Sequence, residues 1–341
     1  MNILENVDLR LYSTMKLGGQ GRWLAEAHKE SEVRELIGWA KERNLPFIVI
    51  GQGSNIVWRD EGFEGLLIVN KIKGIEALSD DDSGVTARIA AGEIWDEAVA
   101  WSVNRNLSGI EFLSRIPGMA GAAPVQNIGA YGAELADVLK EVAAYDSHTD
   151  TFETILAEGC DFAYRSRRFK AVDKGRFVIL SITLNLKKEN PRPPFYESLE
   201  KYLTSQGITE YTPQTIRSAV TEVRKIRLPD PSVVNNNGSF FTNPFVGEPK
   251  FKELQAKFPD IKGWPGSDGR VKLAAGWLVE QAGFKETHDE SGMATWPGNA
   301  LVLVNERAKT TASLIAFRQK ILDKVQEMFG VTLEQEPELL P

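Results

Sequence analysis

Two glycine-bearing segments carry the residue types and spacing to hold a phosphorylated ligand. The first, Ile50-Gly51-Gln52-Gly53-Ser54-Asn55, follows directly on an apolar run. Paired glycines let a backbone turn tightly and bring its N–H groups to a phosphate, and Ser54 and Asn55 add side-chain donors. Ile56 stands where a third glycine would complete the Rossmann fingerprint, and no G-x-x-x-x-G-K-[ST] loop occurs, so a conventional Rossmann or P-loop nucleotide site is disfavoured. The second segment runs from Ser114 to Gly132 with four glycines and almost no charge; only Ile116, Met119, Val125, Ile128 and Tyr131 are large and apolar. Such a stretch makes no bulky core by itself but can lay bare backbone against a large flat ligand. Ser114, Gln126 and Asn127 within it favour a ligand, because buried polar groups are costly when unpaired.

Composition bounds the rest. The 341 residues include 40 basic and 47 acidic side chains, a formal charge of −7, which argues against a dedicated nucleic-acid binder. Hydrophobic residues make up 42%, as in an ordinary globular protein, and the length allows two or three domains. No apolar run approaches the ~20 residues of a membrane-spanning helix, and the N-terminus lacks the layout of a secretory signal. Cys160 is the one cysteine, so no disulfide framework or cysteine-cluster metal site is expected, and the cytoplasm is the expected compartment. His28, His148 and His288 are not spaced as ligand pairs, and no metal site is expected.

The loops need elements to position them. Residues 30–44 read as a helix, with Ser31 as N-cap, Val33, Leu36, Ile37 and Ala40 at helical spacing, and Asn44 as the stop. Residues 46–50 read as a buried strand that runs into the first glycine segment. Residues 85–89 alternate, and residues 177–186 do so more cleanly, with Val178, Leu180, Ile182, Leu184 and Leu186 on one face and Ser181, Thr183 and Asn185 on the other. Residues 187–194 break into a linker-like stretch. A helix begins at Thr212-Pro213, buries Ile216, Val220 and Val223, and ends at Leu228-Pro229-Asp230-Pro231, where a domain boundary is placed. Residues 310–329 form an amphipathic helix with Leu314, Phe317, Ile321, Val325 and Met328 inward and Gly330 as its stop.

In their order and separation, the two glycine segments resemble the flavin-binding loops of the UDP-N-acetylenolpyruvoylglucosamine reductase (UDP-N-acetylmuramate dehydrogenase) family, in its longer, type I branch. Ser13-Thr14-Met15-Lys16-Leu17-Gly18-Gly19 resembles the family's N-terminal signature. Ile116-Pro117-Gly118 followed by Pro124-Val125-Gln126-Asn127-Ile128-Gly129-Ala130-Tyr131-Gly132 resembles its most specific motif, and the likeness continues to about Glu336. It implies an α+β fold: a vanillyl-alcohol-oxidase-type (PCMH) FAD-binding region of two subdomains, residues 1–70 and 71–228, then a C-terminal α+β substrate-binding domain, residues 229–329. The tail, about 330–341, would pack back on the first subdomain. FAD would be held by Gly51, Gln52, Gly53, Ser54 and Asn55, and by Ser114, Ile116, Pro117, Gly118, Gly121, Ala122, Pro124, Gln126, Asn127, Gly129, Ala130, Tyr131 and Gly132.

The resemblance also implies a reaction. The family uses NADPH to reduce FAD, which passes hydride from N5 to C3 of UDP-N-acetylglucosamine enolpyruvate; protonation at C2 gives UDP-N-acetylmuramate, a peptidoglycan precursor. Negative charge then develops beside a carboxylate, so the site needs a fixed cation and a proton donor. In Asn237-Gly238-Ser239-Phe240-Phe241-Thr242-Asn243-Pro244, Ser239 takes the proton-donor place. Tyr164-Arg165 matches the family's pair, with Arg165 stabilising the enolate and Tyr164 at the substrate. Leu333-Glu334-Gln335-Glu336 makes Glu336 the third catalytic candidate, although Glu334, Glu336 and Glu338 would share one face of an extended tail. Tyr196, Arg227, Asn243 and Asn299 fall at substrate-binding positions; Arg227 replaces the usual lysine, and Asn299 the usual histidine or glutamine. Oxidases on the same scaffold often tether flavin through histidine or cysteine. Neither occurs in either glycine segment, so noncovalent FAD is expected; a monomer is a separate expectation. The rival readings are another FAD-linked oxidase or dehydrogenase and a non-catalytic flavin-binding module.

Overall fold

Alternating apolar stretches separated by turn residues pair into sheets in the computed structural model, which describes residues 2–162, 168–266 and 268–341. The chain divides into two compact units. The first comprises Met1–Val7, Gly21–Gln52 and Glu64–Lys225; the second comprises Asp8–Gln20, Gly53–Phe63 and Ile226–Pro341.

In the first unit a four-stranded sheet runs in the order Ile3–Asp8, Gln20–Ala27, Phe63–Asn70, Phe47–Ile50, the last two strands parallel. A five-stranded antiparallel sheet runs Thr151–Leu156, Leu139–Asp146, Phe177–Lys187, Gly84–Ala90, Ile75–Asp80. Helix Glu30–Glu42 inserts Val33, Leu36, Ile37 and Ala40 into a cluster that draws on both sheets. On the other face of the larger sheet, helix Trp95–Val103 buries Trp95, Ala98, Val99 and Val103.

Two details depart from expectation. Ser31 lies inside the first turn of its helix. Lys29 holds the cap position without a side-chain bond, and the Glu32 carboxylate instead accepts from the His28 amide at 2.7 Å. Asn44 then leaves the helix at φ +54°, a left-handed conformation that asparagine tolerates. Strand Phe177–Lys187 does not keep one apolar face. Ala143 pairs with Ser181 and Ala144 with Ile179, so Leu180 is an extra residue, and a bulge there reverses the facing of the residues beyond it. Val178 and Leu180 therefore pack with helix Glu30–Glu42, whereas Ile182, Leu184 and Leu186 pack on the opposite side. Ser181 and Thr183 are buried as well, because the strand is central and covered on both faces.

In the second unit Asn299–Asn305 pairs with Asn235–Ser239 on one side and Met293–Trp296 on the other, and Arg270–Leu273 lies likewise between Phe245–Gly247 and Gly263–Pro265. Its early segment Ile56–Trp58 lies parallel to Glu338–Leu340. Helix Thr311–Phe329 carries Leu314, Phe317, Ile321, Val325 and Phe329 into the core, each at most 2% exposed. Every such side chain contributes about 1.5–3 kcal/mol, so packing rather than propensity holds this helix. Its start is closed twice: Thr310 accepts from the Ser313 amide, and Asp60 accepts from the amides of Thr311 and Ala312 at 2.7 and 2.9 Å. Gly330 ends it at φ +62°.

Asp60 thus serves orphan donors of a helix more than two hundred residues away. Asp60→Ala is expected to lower stability by about 1–2 kcal/mol in urea unfolding, with Asp60→Asn recovering most of the loss. No change in either variant would mean that solvent serves those amides equally well.

Candidate functional site

Unit one first. Strand Phe47–Ile50 delivers Gly51 and Gln52 to the end of its sheet, and the Gln52 side-chain oxygen accepts from the Gly118 amide at 3.1 Å. The two glycine segments expected to act together therefore touch through this bond. The second segment folds as short turns, Ala120–Ala122 and Ala123–Gln126, then a two-residue hairpin, Gly129–Ala130 with Ala133–Glu134. Arg115, Asn127 and Tyr131 all have positive φ, at 56°, 45° and 53°. Three non-glycine residues in the left-handed region within one loop store strain of the kind that collects at binding sites.

Several residues of this loop have structural duties. A Cβ on Gly121 would come within 2.5 Å of the Ala91 Cβ, so its bareness serves packing. Asn127 donates to Glu134 at 2.7 Å and accepts from the Ala136 amide at 2.9 Å, closing the hairpin. Ser114 is buried and donates to the Glu111 carbonyl at 2.5 Å. Ile116, Pro117, Ala122, Gln126 and Ala130 are half-buried, Gly118 and Pro124 buried, and Gly129 and Gly132 exposed. Tyr196 is 51% exposed and meets Tyr131 edge-on at 6.0 Å between ring centres.

Sequence reasoning missed the charged groups behind this loop. Arg217 donates to both oxygens of Asp96, at 2.7 and 2.9 Å, and to the Ser114 hydroxyl at 3.1 Å; Asp96 also accepts from the Arg115 amide at 2.6 Å. Burial pushes the Asp96 carboxyl up, but Arg217 and the Arg115 amide outweigh it and hold the group below the ordinary aspartate range. Arg224 stands two turns after Arg217 on helix Pro213–Arg227, hence on the same face. It is half-buried and forms no ion pair with the described residues. Burial, with the Arg115 guanidinium nearby, holds it below the ordinary arginine range. Tyr131 and the Asp96 carboxylate offset part of that, and a desolvated guanidinium with no ion pair of its own suits an anionic ligand. The seven-residue spacing of Arg217 and Arg224 was the available signal; the partner Asp96 lies 121 residues away.

Unit two gathers the other candidates. Ser239 ends strand Asn235–Ser239, opposite Val302, after Gly238 at φ +70°. The tail crosses just beyond it: the Thr242 amide donates to Glu334, and the Glu336 amide donates to Phe240, both at 2.9 Å. Glu336 therefore lies against the residue next to Ser239, whereas Glu338 pairs with Ile56 in the adjoining strand pair and Glu334 is exposed. Register separates three glutamates that periodicity could not. Asn55 joins the same junction, accepting from the Glu338 amide at 2.9 Å. Asn237, the first residue of the serine motif, donates from its buried amide to Thr14, to Ser54 and to Ile56 at 3.0, 3.1 and 3.2 Å. Gly53 is required here: at φ +73° its Cβ would fall 2.2 Å from the Tyr12 carbonyl oxygen.

The remaining expectations vary. Asn243 accepts from the Ala275 amide at 2.9 Å and Asn299 from the Leu301 amide at 3.1 Å, so each has a structural bond; Arg227 is exposed. Tyr164 and Arg165 lie outside the described residues. Cys160 is buried, and burial pushes its thiol up to about 11, which leaves no thiolate for chemistry at neutral pH. Among the described residues, no group of three or more His, Cys, Asp or Glu could hold a metal ion, and no helix is long and apolar enough to cross a membrane.

Residues 22–154 match the family described as an FAD binding domain, and residues 230–340 match the UDP-N-acetylenolpyruvoylglucosamine reductase C-terminal domain. The chain is 39% identical over 339 residues to UDP-N-acetylenolpyruvoylglucosamine reductase of Pseudomonas aeruginosa, covering 99% of each. It is 36% identical over 339 residues to that of Burkholderia cenocepacia, covering 99% of this chain and 97% of the relative. The crystal structure of UDP-N-acetylenolpyruvylglucosamine reductase from Thermus caldophilus superposes with a TM-score of 0.67 at 22% identity, covering 100% of both chains, and so shares the fold. The expected α+β architecture, an FAD-binding region followed by a C-terminal domain of this type, is the one found.

The Asp96–Arg217 pair has a pH signature. A carboxyl held below its unfolded value stabilises the fold above the ordinary aspartate pKa of about 3.9, and the contribution fades as pH falls through the lowered value. Asp96→Asn is expected to cost about 2 kcal/mol at pH 7, between exposed and buried ion pairs, and the gap to the parent protein should close below about pH 4. A gap constant down to pH 3 in denaturant unfolding would contradict this.

Proposed function

The chain belongs to the UDP-N-acetylenolpyruvoylglucosamine reductase family, and we propose that it catalyses the family's reaction. In this reading it uses FAD and NADPH to reduce the enolpyruvyl double bond of UDP-N-acetylglucosamine enolpyruvate to the lactyl ether of UDP-N-acetylmuramate. It does so as a cytoplasmic monomer in peptidoglycan precursor synthesis, with no nucleic-acid, membrane or metal partner. Most of the residues expected to hold FAD lie in the first unit, as do Tyr164, Arg165 and Tyr196, whereas Ser239, Glu336, Arg227, Asn243 and Asn299 lie in the second. The observation that carries the reading is the junction in the second unit: the Glu336 amide donates to Phe240, next to Ser239, the Glu338 amide donates to Asn55, and the Asn237 side chain donates to Ser54.

The residues present fit a dinucleotide. Residues 51–52 and 114–132 offer bare backbone and few charges, and Arg224 is a half-buried cation that forms no ion pair with the described residues. Bound FAD supplies the hydride, drawn from NADPH, that adds to C3 of the enolpyruvyl group. The chain's own groups answer the charge that appears at C2. Arg165, permanently charged and planar, would pair with the substrate carboxylate and hold the enolate. Ser239, on a strand end fixed by Phe240 and the tail, would deliver the proton to C2; a hydroxyl suffices because the receiving carbon is strongly basic. Glu336 would orient that hydroxyl or the substrate from the tail segment beside Phe240. Tyr164, Tyr196, Arg227, Asn243 and Asn299 would contact the UDP-sugar, Tyr196 from its exposed position as a cover and Arg227 at the diphosphate. An alternative FAD-linked oxidase would use oxygen rather than the enolpyruvyl sugar as acceptor.

Anaerobic flavin absorbance separates the two half-reactions. The purified protein should be yellow and lose its colour to the supernatant on acid precipitation; flavin that stays with the pellet would contradict noncovalent binding. In Ser239→Ala, NADPH should still bleach the flavin, while reoxidation by the enolpyruvyl sugar slows about 10²–10⁴-fold. Arg165→Gln should impair the same step, since the charge it answers develops only there. Reoxidation at the parental rate in Ser239→Ala would overturn the proton-donor assignment.

A further inference from the structure

We propose, on the reading that residues 114–132 hold FAD, that Glu111 is a positioning residue for the flavin. Its ionised carboxylate gathers the backbone amides at the entry to the second glycine segment and holds that segment in the shape that takes the cofactor. Glu111 is 1% exposed, and the proposed reaction gives this buried acid no task. Backbone alone holds its carboxylate: Oε2 accepts from the Gly109 amide at 2.6 Å, and the amides of Ile110 and of Glu111 itself also act on the group. Gly109 adopts φ +129°, and a Cβ there would stand 2.9 Å from Val138 Cγ1, so no other residue fits this turn. Three consecutive amides around one anion form a concave site that fixes the backbone between them.

The same turn is closed on its other side. The Leu113 amide donates to the Ile110 carbonyl at 3.0 Å, the Ser114 hydroxyl to the Glu111 carbonyl at 2.5 Å, and the Trp95 indole to the Leu113 carbonyl at 2.9 Å. Residues 109–114 thereby set where the glycine segment starts, and from there Arg115 turns left-handed with its amide on Asp96. A bare loop binds only in the fraction of molecules that already have the bound shape, so loosening its entry weakens the ligand by that fraction. Burial pushes the Glu111 carboxyl up, and the three amides offset this only in part, so it stays above the ordinary glutamate range. Charged groups on the elements packed around the turn add nothing to the forces on it: Asp96 and Glu97 on helix Trp95–Val103, Glu134 in the hairpin, Asp137 before Val138, and Lys187 after Leu186. Protonated, the carboxyl carries a hydrogen of its own and no longer serves three donors. Flavin affinity, which needs the charged form, therefore falls as pH drops through the raised value.

The test is release of FAD from the flavin-loaded protein on dilution, read by flavin fluorescence between about pH 8 and pH 5, for the parental chain, Glu111→Gln and Glu111→Asp. At pH 8, Glu111→Gln should hold FAD about tenfold less tightly or worse, the scale of one lost hydrogen bond to a charged group. The parental affinity should fall as pH drops and approach that of Glu111→Gln, whose own affinity should stay flat. Glu111→Asp, which keeps the charge, should bind between the two at pH 8 and keep the slope. Unfolding midpoints at saturating FAD check that the variants fold; if Glu111→Gln does not, the parental and Glu111→Asp slopes decide. A flat parental profile, a slope that survives in Glu111→Gln, or parental affinity in that variant at pH 8 would each overturn the role of Glu111 alone. No FAD bound by the parental chain would overturn it together with the proposed function.

Discussion

Backbone pairing between an early segment and the far end of the chain is the constraint on which the second unit rests. Ile56–Trp58 lies beside Glu338–Leu340, and residues 334–336 hydrogen-bond to residues 240–242. These bonds have two consequences at once. They satisfy the polar backbone of a tail that would otherwise be free, and they set the position of Glu336 relative to Ser239 to within a strand spacing. Helix Thr311–Phe329, whose first amides are held by Asp60 and whose apolar face fills the core, brings the tail to that position.

The first unit solves a different problem, which is to hold an almost uncharged, glycine-containing loop in a strained shape. Gln52 pins it from the front through Gly118, and Asp96, Arg217 and Ser114 brace it from behind. Left-handed Arg115 and Tyr131 persist because this bracing over-determines them. Arg224, on the same helical face as Arg217, forms no ion pair with the described residues, and Asp96 and Tyr131 offset its burial only in part.

Legibility in the sequence tracks interaction range. Helices with a regular apolar stripe, such as Thr311–Phe329, were legible to within a residue, and so were Gly330 and Thr310 as their ends. Local rules failed where tertiary context took over. Ser31 gave way because Glu32 could serve the His28 amide from within the turn, and the alternation of residues 177–186 broke at Leu180, where a bulge in a doubly covered strand reversed the facing. The loops and the serine motif could be found by type and spacing. Their supports could not: Asp96 meets Arg217 and Asn237 meets Thr14 across separations of 121 and 223 residues, which no periodicity encodes. The choice among Glu334, Glu336 and Glu338 likewise needed a register that exists only after folding.

The interleaving of the two units bears on how the chain comes off the ribosome. Every segment of the first unit has emerged by Lys225, whereas the second needs Asp8–Gln20 and Gly53–Phe63 to wait for Ile226–Pro341. At ~5–20 residues per second the interval between Phe63 and the tail is on the order of tens of seconds. During it Met15, Leu17, Val57 and Trp58, all fully buried at the end, have no native neighbours from the C-terminal half. The core of the second unit is therefore completed only once the C-terminal half has been made.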